Sequence, residues 1–130
     1  MAKWIHTDVQ DFGMAEIRNA DRWHVIKAYA QGDSYATVVG NSVGYAAMSS
    51  GDYTISGAAN AQRVLTFASG KSFSATASSG VSPDIHFAFV DSTTSRVLYV
   101  TDETSNDTIA ISETVTLPSD LTYTTSQTPL

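Results

Sequence analysis

The stretch Pro83-Asp84-Ile85-His86-Phe87-Ala88-Phe89-Val90-Asp91-Ser92-Thr93-Thr94-Ser95-Arg96-Val97-Leu98-Tyr99-Val100-Thr101 decides the fold class. Two runs of β-branched and aromatic residues flank a short polar connection, which is the pattern of a β-hairpin. Under strand alternation Ile85, Phe87 and Phe89 share one face, with His86, Ala88 and Val90 on the other. Val97, Leu98, Tyr99 and Val100 make the partner strand apolar on both faces as well. A hairpin of this kind must be covered on both sides, so it belongs inside a packed β-domain.

Outward from the hairpin, further short strands are expected at Tyr53–Ile55, Arg63–Phe67, Ser72–Ala77, Thr108–Ile111, Val115–Leu117 and Leu121–Tyr123. Turn residues such as Ser49-Ser50-Gly51-Asp52, Ser69-Gly70-Lys71 and Ser78-Ser79-Gly80 separate them. Short strands at this spacing predict a mainly β chain, an antiparallel β-sandwich or jelly-roll-like domain. Before Ser49 the pattern changes. From Val9 to Ala20 the apolar residues Val9, Phe12 and Ile17 fit one helical face loosely, Asp8 can cap it and Gly13 weakens it. Trp23–Ala30 reads as a strand ahead of a Gln31-Gly32-Asp33 turn, and Ser34–Met48 reads either as a helix or as a hairpin turning at Gly40-Asn41. The fold therefore carries one or two short N-terminal helices. Residues 1–8 are expected as an N-terminal arm, 9–123 as one β-sandwich domain and 124–130 as a Pro-broken tail.

A chain of 130 residues with 42% hydrophobic content suits one domain with a real core. Serine and threonine make up about a quarter of it and only 15% is charged, a balance that favours strands and turns over long surface helices. The net charge of −6, with seven scattered lysines and arginines, argues against nucleic acid as a partner. There is no cysteine, hence no disulfide and no thiolate metal site. Neither a signal peptide nor an apolar run of membrane-spanning length is evident, so the chain is expected in the cytosol, without a membrane partner, unless a larger assembly carries it out.

Gly40-Asn41-Ser42-Val43-Gly44 matches the G-x-S-x-G nucleophile elbow, and Asp84 and His86 follow in the order a triad would need. The elbow belongs to a parallel α/β sheet, which this Ser/Thr-rich chain does not offer, and Asp84 and His86 sit two apart in one predicted strand. No catalytic role is expected for them. His6, His24 and His86 form no ligand pair at close spacing, and the acidic stretch Asp102-Glu103 with Asn106-Asp107 lacks calcium-loop spacing, so neither metal nor other cofactor is expected. Asn106-Asp107-Thr108 is formally a glycosylation sequon, which matters only on a secretory route. The aromatics Trp4, Trp23, Tyr29, Tyr35, Tyr45, Tyr53, Tyr99 and Tyr123 could build a sugar-stacking platform, although tyrosines in strands more commonly pack a core or an interface.

From Ser49 to Tyr123 the chain resembles small virion structural proteins of tailed bacteriophages. The resembling elements are Ser50-Gly51-Asp52-Tyr53-Thr54-Ile55, Ala61-Gln62-Arg63-Val64-Leu65-Thr66, His86 to Thr101, and Thr114-Val115-Thr116-Leu117-Pro118 followed by Leu121-Thr122-Tyr123. The resemblance implies a non-enzymatic particle component assembled in the host bacterial cytoplasm. The leading role is a homo-oligomeric capsid decoration, or cement, protein that binds the major capsid protein and stabilises the head lattice. The alternative is a tail, fibre or head-spike module that binds host-surface carbohydrate. Trp4 and Ile5, apolar residues on the N-terminal arm, are the interface candidates.

Overall fold

The computed structural model describes residues 7–57, 62–103, 106–119 and 121–126. In chain order these form α1 (Thr7–Ile17), β1 (Arg22–Ile26), α2 (Tyr35–Gly40), β2 (Ser42–Ala47), a 3-10 turn (Ser50–Asp52), β3 (Tyr53–Gly57), β4 (Gln62–Phe67), β5 (Ser72–Ser74), β6 (His86–Asp91), β7 (Arg96–Asp102), β8 (Thr114–Thr116) and β9 (Thr122–Ser126). The chain is mainly β, sandwich-like and antiparallel, with two short helices. A four-stranded sheet in the order β2-β1-β6-β7 faces a three-stranded sheet in the order β3-β4-β9, and β5 pairs with β8 in a separate ribbon.

The hairpin of β6 and β7 is covered on both sides, as its apolar pattern requires. On one face Phe87 and Phe89 join Trp23, Val25, Leu65, Phe67 and the α1 residues Met14 and Ile17 in the main core. Phe67 from the second sheet sits with its ring centroid 4.3 Å from that of Phe89 and stacks at 5.7 Å on Tyr99, so aromatic contacts join the two sheets. On the other face Ala88, Val90 and Ile26 form a smaller core with Val38 of α2. The turn is held by Asp91, whose Oδ1 accepts the N–H groups of Thr93 and Thr94 at 3.0 and 3.3 Å, and by Ser95 at φ +56°.

The register contains one step that alternation alone does not give. Val90 pairs with Val97 but Phe89 pairs with Tyr99, which leaves Leu98 as the extra residue of a β-bulge. Leu98 and Tyr99 consequently both pack against the main core. A matching shift between β1 and β2 pairs Val25 with Gly44 and Ile26 with Ser42, and the intervening Val43 turns into the main core.

Several expectations change in detail. Ser34–Met48 is half of each alternative: Ser34 Oγ accepts the Thr37 N–H at 3.2 Å and caps α2 through Gly40, after which the chain extends as β2. Helix α1 begins at Thr7, so it takes in the last two residues assigned to the arm, and β9 runs through Ser126 into the expected tail. Phe12 does not lie on the buried face of α1. Met14 and Ile17, three apart, set that face, and Phe12 stands about 200° around the helix from Met14, 75% exposed. Thr108–Ile111 forms no strand; Ile109 is tucked in by itself, donating its N–H to Ser79 Oγ at 2.8 Å and accepting from the Ser79 N–H at 2.9 Å. Among the described residues no helix is long and apolar enough to cross a membrane.

Candidate functional site

Three places on the chain hold reactive or exposed groups close together. The first surrounds Ser42. Gly40 closes α2 and Ser42 opens β2, so the motif runs from helix into strand, the reverse of a nucleophile elbow. Gly44 has φ +155°, and a Cβ there would lie 2.4 Å from Cε2 of Phe73; the position is glycine because the Phe73 ring lies against the backbone. Ser42 Oγ accepts the Gly44 N–H and donates to the Gly44 carbonyl, both at 3.0 Å. Strand β1 brings His24 Nδ1 to within 2.8 Å of the same oxygen, a contact between residues 18 apart that no sequence motif announces.

With the hydroxyl hydrogen directed at the Gly44 carbonyl, His24 is the donor to Ser42 and carries its proton on Nδ1. Its Nε2 is then a buried lone pair without a hydrogen-bond partner. His24 is 2% exposed; burial, reinforced by the positive charge of Arg22 and opposed by the negative charge of Asp21, lowers its pKa to about 4. An imidazole of that pKa is a weak base at neutral pH, and no carboxylate among the described residues orients its Nε2. The acid and base nominated from the sequence stay away. Ile26 pairs with Ser42 on one side and with His86 on the other, which separates those two by two strand spacings, about 9–10 Å. The arrangement suits a structural hydrogen-bond network rather than a nucleophile.

The second place lies at the far end of the β6–β7 hairpin. Asp84 and His86 meet Asp102, which pairs directly opposite His86. One potential metal-binding atom from each of the three lies within 4.8 Å of the others.

The third is an open groove of about 370 Å³ between α1 and the β3–β4 pair, lined by Asp11, Phe12, Ala15, Arg18, Ile55 and Arg63. Arg63 fixes one wall: its guanidinium donates to both carboxylate oxygens of Asp11 at 2.8 and 3.0 Å and to the Gly57 carbonyl at 2.7 Å. Arg18 is exposed and, among the described residues, has no carboxylate within ion-pair distance. A bare phenylalanine ring beside an unpaired guanidinium can take an apolar side chain and a carboxylate together. The sequence-based reading missed Phe12 because it placed that residue on one apolar helical face with Val9 and Ile17. The interface candidates Trp4 and Ile5 lie outside the described residues.

Seven of the eight aromatics named above lie at described positions: Tyr29 and Tyr35 are half-buried against the smaller core, and Tyr123 is half-buried with its ring centroid 5.1 Å from that of Tyr99. Trp23 and Tyr53 are buried, Tyr99 stacks on Phe67, and Tyr45 carries the Arg22 guanidinium 4.5 Å from its ring centroid and the His24 ring at 5.0 Å. No known protein family, curated protein or solved structure matches the chain.

Proposed function

We propose that this chain is a non-enzymatic structural protein of a tailed-phage particle, and specifically a decoration protein that binds and stabilises the head lattice. Its partner in this reading is the major capsid protein, and its location is the virion. The motif order from Ser50 to Tyr123 supports the particle assignment. The single observation that supports lattice binding is the groove at Phe12. A phenylalanine 75% exposed on a helix whose Met14 and Ile17 are buried leaves a bare ring at the surface, and the neighbouring Ile55, Ala15 and Arg18 extend it into a contact surface. Phe12 lies on a helix that packs into the main core through Met14 and Ile17, so binding would order little of the described chain, which favours affinity per unit of buried surface. The acidic net charge keeps the free protein soluble before it docks.

The test is co-sedimentation with particles that lack the protein, comparing wild type with Phe12→Ser. Substitution at so exposed a site should leave stability within about 0.5 kcal/mol. Saturable wild-type binding that the variant loses supports the reading. A variant that saturates particles like wild type removes the groove from the interface. Wild-type protein that ignores particles but is retained on host-surface polysaccharide would replace decoration with host attachment.

A further inference from the structure

We propose that Asp84, His86 and Asp102 form a surface site for a divalent transition-metal ion of the zinc type. The three side chains reach one place through backbone geometry. Asp84 precedes His86 by two residues, the spacing that puts side chains on one face of extended chain. Asp102 faces His86 because of the bulge at Leu98: without that extra residue the pairing would run one position out of step, Thr101 would oppose His86, and Asp102 would point to the opposite face.

The histidine ring is oriented as a ligand needs. His86 Nδ1 lies 3.0 Å from the Asp84 backbone carbonyl, an atom that only accepts, so Nδ1 is the donor nitrogen and Nε2 is the ring nitrogen left to meet a metal ion. An imidazole fixed by an Nδ1–H bond to a carbonyl, with Nε2 free, is the common arrangement of metal-bound histidine. Nε2 looks toward Asp102 Oδ1 at 3.8 Å, too far for a hydrogen bond. Two ligands each about 2.0–2.1 Å from a tetrahedral ion stand about 3.4 Å apart, so His86 and Asp102 close on an ion with a movement of a few tenths of an ångström, whereas the exposed Asp84 carboxylate, whose Oδ1 lies 3.9 Å from Nδ1, must swing toward Nε2 to join them.

The surroundings hold this frame in place and leave it open. The Asp84 N–H donates to the Lys27 carbonyl at 3.1 Å, the Ile85 N–H to Asn106 Oδ1 at 2.9 Å, and the Glu103 N–H to the Ile85 carbonyl at 2.9 Å. The His86 side chain is 12% exposed, while those of Asp84 and Asp102 are 63% and 71% exposed, so the remaining coordination positions face water. Among the described residues neither carboxylate has a lysine or arginine partner within 4 Å, so a bound cation would have no ammonium or guanidinium to displace. One imidazole and two carboxylates suit a zinc-type ion, whereas calcium and magnesium seek oxygen-rich shells.

The experiment is titration of the metal-free protein at pH 7.5 with Zn²⁺ against a chromophoric chelator, with Mg²⁺ and Ca²⁺ as controls. The proposal expects one equivalent of Zn²⁺ bound, with affinity at least tenfold lower in both His86→Gln and Asp102→Asn and circular dichroism unchanged. Asp102→Asn, at an exposed position, keeps the test valid if His86→Gln disturbs the fold. Wild-type protein that fails to bind Zn²⁺, or Zn²⁺ binding that survives in both variants, overturns the proposal. So does a ¹⁵N imidazole spectrum of the metal-free protein that places the His86 proton on Nε2.

Discussion

His24 should make the protein acid-labile, and the size of the effect follows from its environment. The free imidazole titrates near 6.5 and the buried one at about 4. Below pH 6.5 the unfolded chain takes up a proton that the native state refuses until the pH nears 4. The unfolded state thus binds more protons through this window, and stability falls as pH falls. The stabilisation is full above pH 6.5; a gap of about 2.5 units corresponds to about 3 kcal/mol lost by pH 4. Asp21 and other carboxylates titrate at acid pH too, so the wild type alone does not isolate the histidine. The assay is urea unfolding at several pH values between 7.5 and 4 for wild type and His24→Gln, reading the difference between the two. That difference should shift by about 3 kcal/mol against the wild type as the pH falls, because the carboxylates are common to both chains. Parallel stability curves would refute the reasoning and mean that the His24 ring is solvated rather than buried.

Phe89→Ala removes a fully buried ring that touches Phe67 across the sandwich and Tyr99 on the neighbouring strand, and should cost about 3–5 kcal/mol in chemical denaturation; an unchanged midpoint would contradict the packing of the two sheets. Gly44→Ala puts a Cβ into the Phe73 ring at a positive φ, so a loss of about 2–4 kcal/mol is expected by thermal melting, and a wild-type melt would show that the ring does not lie against this backbone. Ser42 should not react with a fluorophosphonate probe; labelling that Ser42→Ala abolishes would make the serine a nucleophile and remove the non-enzymatic reading.

The parts of the fold that were legible in the sequence are those where one residue pattern leaves one choice. Phe87 and Phe89 on one face and Ala88 and Val90 on the other demanded cover on both sides, and they have it. Phe12 was misplaced because three apolar residues on a short helix admit more than one face, and contact with the sheet selects Met14 and Ile17. Ser34–Met48 resisted a single reading because its Val and Gly content suits helix and strand about equally, and the chain uses one after the other. The meeting of His24 with Ser42 and of His86 with Asp102 was hidden for a different reason. Each depends on strand register, and each register contains a bulge that no local pattern marks.

The central claim is that this domain decorates a phage head, and the most direct measurement is quantitative mass spectrometry of purified particles, paired with thermal and osmotic survival of particles with and without the protein. The account predicts a copy number in proportion to the capsid lattice and particles that burst at lower temperature when the protein is missing, since binding to the assembled state stabilises it. A copy number matching the tail, together with equal survival, would contradict it.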